Sequence, residues 1–239
     1  MMRLFRRAVR CCVLLLFLAL GGYPLLWMGM TALRHEGDAR RAPFALPAPA
    51  TTQNIGKVLA SGGFGRAYVN SLIVCVVSVA LTAAAGALAG YAFARMRFRG
   101  REAVFFLFLA GMMIPVHVTL IPLNRLMGPR LLNLKDTWWA LIGPYVGFAL
   151  PISILILRSA FEAVPRELEE AAVLDGCSRF GVFWRVALPL VRPAMATVVI
   201  FSFLTDWNEF AFALTLITDK SMHTLPLALW RFKGEHGMF

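Results

Sequence analysis

Apolar residues run along this chain in long blocks, separated by short charged stretches. The first block, around LLLFLALGGYPLLWMGM, fills residues 11–32, and others fill 71–93, 103–123, 137–157 and 193–217. Each approaches or exceeds the roughly 18 apolar residues that suggest a helix crossing a bilayer. The pattern predicts an all-α, polytopic transmembrane helix bundle of five spans. No polar region is long enough for a soluble domain, so residues 1–239 read as one membrane domain. Pro115 and Pro122 are expected to break the third span. The tail TDKSMHTLPLALWRFKGEHGMF holds no full span. The first block outruns the 7–15-residue core of a signal peptide, so it reads as an uncleaved span.

Composition sharpens this picture. Of 239 residues, 59% are apolar and 15% charged, against roughly 45–50% apolar in soluble domains. The formal net charge of +11 would suggest nucleic-acid binding in a soluble protein. Here the basic residues gather at the ends of apolar blocks, where they set orientation in a membrane. Arg3, Arg6, Arg7 and Arg10 precede the first block, and the short loop ARMRFRGRE follows the second. These two dense clusters put the N-terminus and the loop 159–191 in the cytoplasm. On the outer side fall Arg34, Arg40, Arg41 and Lys220, among others. Cys11, Cys12, Cys75 and Cys177 form no CxxC pair and no metal-ligand cluster, so reduced structural thiols are expected.

One loop has a pattern of its own. Just before EEAAVLDGCSRFGVFWRVALP, Pro165 suits the first turn of a helix. Glu167, Glu169 and Glu170 suit the positive end of its dipole. Gly176 sits where a helix C-cap belongs, and Ser178 can cap a second helix. Phe180, Phe183, Trp184 and Ala187 give that helix an apolar face, and Pro189 is expected to end it. The face must be covered by the bilayer interface, by the ends of the chain's own spans, or by a partner's groove.

EEAAVLDG, followed after eleven residues by LP, resembles the EAA loop of ABC importer permeases. YVNSLIV, YAFARMRFRGR, MMIPVHVTLIPL, RSAFEAVPRELEEAAVLDG, FSFLTDWNEF and TLPLAL look like its carbohydrate-uptake, MalG-like branch, over residues 43–235. The resemblance implies a cytoplasmic coupling helix that docks on an ATPase through Glu170, Ala171, Ala172, Asp175, Gly176, Leu188 and Pro189. It implies a permease subunit forming half of the path for a sugar or similar polar solute. A non-sugar solute such as a glycerol phosphate ester, or a membrane scaffold or receptor, are the alternatives. The implied partners are a second permease subunit, in a heterodimer, with two ATPase subunits and an external solute-binding protein. The implied location is the bacterial inner membrane, multi-pass. No cofactor is expected in this chain; ATP and Mg belong to the ATPase. The family has a sixth span after the TLPLAL region, absent here, so the chain is expected to be truncated at its C-terminus.

Candidate chemistry is sparse. No GxxxxGK[ST], HExxH or GxSxG occurs, so neither ATP hydrolysis nor metalloprotease or esterase chemistry is expected. Polar residues at membrane depth are then the functional candidates. These are His117 between two prolines, and Asp206, Asn208 and Glu209, with Asp206 expected near the outer third of its span. Ser78, Thr82, Gly86 and Gly90 recur every fourth position on span 2 and are expected to pack against another helix.

Overall fold

The computed structural model describes residues 2–35, 44–60 and 63–235. Arg40, Arg41 and the first residue of the family resemblance lie outside the described residues. The chain divides into two compact units, Met1–Gly62 and Gly63–Phe239.

In the first unit, α1 (Met2–Ala32) contains the apolar stretch Val9–Ala32. Leu14, Phe17, Leu18, Leu25 and Leu26 are all exposed. Such a helix satisfies its own backbone and can cross lipid without a protein neighbour. A short helix, α2 (Gln53–Ala60), follows. Asn54 Nδ2 donates to the Ala32 carbonyl at 3.0 Å and the Arg34 carbonyl at 2.7 Å. It thereby serves acceptors that the end of α1 leaves open.

The second unit is built on two long helices, α3 (Phe64–Arg95) and α6 (Trp139–Ala163). Between them come α4 (Arg101–Gly111) and α5 (Val116–Leu126). Then come α7 (Arg166–Leu174) and α8 (Arg179–Leu190). The chain continues through α9 (Arg192–Trp207), α10 (Ala211–Leu216), a 3₁₀ turn at Lys220–Met222, and α11 (Leu225–Glu235).

Helices α3 and α6 run parallel, in contact along most of their length. A Cβ placed on Gly86 would lie 3.1 Å from Ser153 Cβ, and one on Gly90 would lie 2.9 Å from Leu157 Cβ. The glycines of the small-residue stripe are therefore where α6 lies, while Ser78 in the same stripe faces α9 through Asp206, so the stripe packs against other helices as its spacing predicts. Without water between lipid-embedded helices, this close van der Waals approach is the main source of their association.

The third block is broken, as its prolines predict, but at one of them only. α4 and α5 meet at 95°. The break falls at Met112–Pro115, where Pro115 has ψ 131° and starts α5. Pro122, expected as a second break, lies inside α5. The pair still carries the chain from one end of α6 to the other. Arg158, near the last turn of α6, donates to both Glu102 oxygens, at 3.0 and 2.9 Å, and to Glu162 at 2.8 Å. Its guanidinium also sits 4.1 Å over the Phe105 ring. At the other end Val116, Leu120 and Leu123 pack on the cluster of Leu141, Tyr145 and Phe212.

The fifth block is also broken. α8 and α9 meet at 75°, and the helix stops again at Asn208 before α10. Pro189 does not end α8, contrary to expectation. Proline removes one helical hydrogen bond and crowds the preceding turn. Here that turn, Phe183–Ala187, is a π-turn, and Leu188 N–H reaches back to the Phe183 carbonyl. The wider turn accommodates the ring, and the change of direction waits until Val191.

Among the described residues, three helices are long and apolar enough to cross a membrane, and up to five crossings result if each bent pair is one span. The tail segment forms α11, eleven residues long, too short for a span and packed back by a Phe64–Phe232 ring contact at 5.4 Å.

Candidate functional site

The loop between α6 and α9 is as ordered as its sequence suggests. α7 ends in a paired cap: Gly176 N–H donates to the Val173 carbonyl at 3.0 Å, and Cys177 N–H to the Ala172 carbonyl at 2.9 Å. This closure needs a left-handed residue, and Gly176 has φ +89°. Replacing it with alanine should cost about 1–2 kcal/mol, the penalty for a Cβ in that region. Thermal unfolding of the purified protein would register the loss; a neutral or stabilising result would contradict this role for Gly176. Ser178 then caps α8, its Oγ accepting from Gly181 N–H at 3.2 Å.

The apolar face of α8 splits in two. Phe183 and Ala187 are buried, and Phe183 meets Tyr91 edge to face and Phe161 at a tilt. Phe180 is 66% exposed and Trp184 52%, and on α7 Leu174 is 88% exposed. The inner half is thus covered by the chain's own helices, and the outer half is left exposed among the described residues.

The acidic residues separate in the same way. Glu170 is exposed, as are Ala171 and Asp175. Glu169 turns inward. Its Oε1 accepts from Arg95 Nε at 2.7 Å, and its Oε2 from Tyr91 O–H at 3.0 Å. Arg95 also donates to the Val164 carbonyl at 2.6 Å. The two charged side chains are 9% and 14% exposed. Leu188 and Pro189, at the far end of the motif, are half-buried beside α9. Sequence reasoning assigned Glu169 only to the helix dipole. The i, i+4 spacing of Tyr91 and Arg95 at the end of α3 was the available signal for its partners.

The span-5 candidates meet where α9 breaks. Asp206 is 6% exposed, and its Oδ2 accepts from Ser78 Oγ at 2.6 Å. Ser78 lies on α3, seven residues into the apolar block that begins near Ser71, so Asp206 is buried against that helix. Glu209 caps α10: Oε1 accepts from Phe212 N–H at 2.8 Å and Oε2 from Ala213 N–H at 3.3 Å. Tyr145 O–H donates to the same Oε2 at 2.9 Å. Asn208 is exposed and returns its side-chain N–H to Leu204 of its own helix. His117 is exposed on the first turn of α5. A cavity of about 360 Å³ opens between the α4–α5 elbow and α6, lined by Gly111, Ile114, Thr119, Gly147, Phe148 and Pro151, among others. None of the four polar candidates lines it.

The end of the bundle away from the loop is tied by polar bonds. Asn70 Nδ2 donates to the Ser221 and His223 carbonyls at 2.9 and 3.1 Å, and its Oδ1 accepts from Trp138 Nε1 at 3.3 Å. Ser71 Oγ accepts from Leu225 N–H at 2.8 Å. Asp136 Oδ1 accepts from the backbone N–H of Thr218 and Asp219. Asp219 in turn accepts from Ser221 N–H, which holds its carboxyl below the usual range. Among the described residues, no group of three or more His, Cys, Asp or Glu could hold a metal ion.

Comparison with known proteins agrees with this architecture. The profile of the family described as binding-protein-dependent transport system inner membrane component matches residues 83–237. The sulfoquinovosyl glycerol transport system permease protein SmoH of Agrobacterium fabrum is 35% identical over 216 residues, 90% of this chain and 75% of its own. The diacetylchitobiose uptake system permease protein NgcG of Streptomyces coelicolor is 35% identical over 219 residues, 91% of this chain and 72% of its own. A chain from the crystal structure of a bacterial ABC transporter importing the acidic polysaccharide alginate superposes with a TM-score of 0.80 at 26% identity, over 97% of this chain and 80% of that one. With three long apolar helices, two bent pairs and a capped, ordered loop, the chain belongs to the family of binding-protein-dependent transport system inner membrane components and is a multi-pass membrane permease subunit of an ABC importer.

Proposed function

We propose that this permease carries a sugar or a similar polar solute, and that its α7–α8 loop docks on a cytoplasmic ATPase subunit. The sugar class is supported by the solutes in the names of its relatives. The docking reading rests on one observation: an ordered loop, fixed on its inner side, that leaves Leu174, Phe180 and Trp184 exposed beside Glu170. Aromatic anchors ringed by charge are what a partner's groove recognises. Ala171, Ala172 and Asp175 contribute to this docking face, Gly176 sets the angle between its two helices, and Leu188 and Pro189 join it to α9.

The N-terminus and the loop then lie in the cytoplasm. A second permease chain completes the path, two ATPase subunits bind ATP and Mg, and an external binding protein delivers the solute. In this arrangement residues 1–239 act as a single permease domain. His117 and Asn208, whose side chains are exposed, are the better placed of the polar candidates to meet solute. Asp206 and Glu209 hold the α9–α10 break that shapes the path.

Glu170→Lys reverses the charge on the docking face without touching the bundle. Losing one interface charge pair costs about 1.5 kcal/mol or more, roughly tenfold in affinity. Co-purified ATPase and solute uptake should both fall about tenfold, with the amount of permease in the membrane unchanged. Full ATPase recovery from this variant, or from Gly176→Trp, would remove the docking reading.

A further inference from the structure

α6 and α9 are joined to the docking loop by the chain itself. α3 is not. It meets the loop through the Tyr91 and Phe183 rings, 5.1 Å apart, and through the ion pair of Arg95 with Glu169. Yet α3 touches the other working parts of the unit. Gly86 and Gly90 bear on α6, Ser78 holds Asp206 beside the α9–α10 break, and Asn70 and Ser71 hold the 221–225 segment at the far end. Thirty-two residues of unbroken helix, without an internal proline, separate the two ends.

We propose that Glu169 is a positioning residue, and that its pairing with Arg95 is the joint by which movement of the docking loop is delivered to α3 and so to the far end. The pair is suited to that task. Both charges are largely removed from water, where an ion pair is directional and little screened. Tyr91 fixes the second carboxylate oxygen, and the Val164 carbonyl fixes the guanidinium, so neither partner can swing without losing two bonds. Glu170, one residue on, faces outward. Adjacent glutamates thus divide the task, one toward the partner and one toward the bundle. This inference rests on the docking reading above and deepens it.

Hydrogen–deuterium exchange on the purified importer complex, with and without ATP and vanadate, tests the joint. In the wild type, nucleotide should change exchange both in residues 166–190 and in residues 211–225. In Glu169→Gln the loop should keep its change, while the far-end change falls about threefold or more, the scale expected when a coupling residue is lost. The exchanged pair Arg95→Glu with Glu169→Arg should recover part of it. Tyr91→Phe, which keeps the ring and removes only the O–H donor, should show the same defect in milder form and guards against misfolding of the Gln variant.

A far-end response in Glu169→Gln equal to wild type overturns the proposal. So does a wild-type far end that ignores nucleotide, or failed assembly of Glu169→Gln alongside a normal far-end response in Tyr91→Phe. The docking reading fails separately, if Glu170→Lys retains ATPase and its nucleotide response.

Discussion

Gly90→Leu should leave no folded bundle. A Cβ there meets Leu157 Cβ at 2.9 Å, Arg158 N at 3.0 Å and Leu157 C at 3.2 Å. Two of these are backbone atoms of a packed helix and cannot move aside. Even alanine forces α3 and α6 apart, at about 1–3 kcal/mol for an overpacked contact. Leucine adds three carbons with nowhere to go, and the loss spreads along the whole interface. Because the association of lipid-embedded helices depends on close packing, little remains to offset it. Size-exclusion of detergent-solubilised protein should show aggregate in place of a single species. Gly147→Ala is the control: its Cβ would find nothing within 4 Å, and stability should hold within about 0.5 kcal/mol. A monodisperse, thermally stable Gly90→Leu protein would mean that the α3–α6 contact is not the core of the fold.

The second large effect is expected at Glu209. Its carboxylate accepts two backbone N–H groups at the start of α10 and the Tyr145 hydroxyl. Glu209→Ala removes a helix cap, worth about 0.5–2 kcal/mol. It also leaves a buried tyrosine hydroxyl without its acceptor, at about 1–3 kcal/mol. The combined loss of about 1.5–5 kcal/mol should lower the thermal midpoint clearly. It should also open the segment after Asn208 to proteolysis. Glu209→Gln keeps a carbonyl acceptor and should lose much less. The Asn208 side chain donates to Leu204 of its own helix, and Asn208→Ala should be nearly neutral in stability. If Glu209→Ala melts like wild type, the carboxylate is not what holds the break.

These two positions show how the unit is organised. α3 is the common surface: α6 lies on its glycines, α9 is pinned to it by Ser78, and the docking loop by Arg95. The carboxylates of Asp206 and Glu209 each accept a hydroxyl from a neighbouring helix. That is the expected arrangement where water is scarce and an unpaired polar group is costly. The bent segments concentrate where proline occurs or where a polar cap takes over from the helix. Pro115 breaks the third span, and Glu209 restarts the fifth.

Much of this was legible in the residues. Block lengths gave the spans, because apolar length is what a bilayer selects. The loop's caps were legible as well, because capping is a local matter: Gly176 needs a left-handed φ and Ser178 needs an N–H three residues on. The small-residue stripe announced a close helix contact, though not its partner. Only the tertiary structure decided that α6 fills that contact at the glycines, that Asp206 meets Ser78, and that of two adjacent glutamates Glu169 turns inward while Glu170 is exposed. The physical reason is the same in each case. Spans, caps and stripes are set by neighbours within a few residues, which the sequence displays. Which buried charge meets which donor depends on residues 64 to 128 positions away along the chain, brought together only when the helices pack.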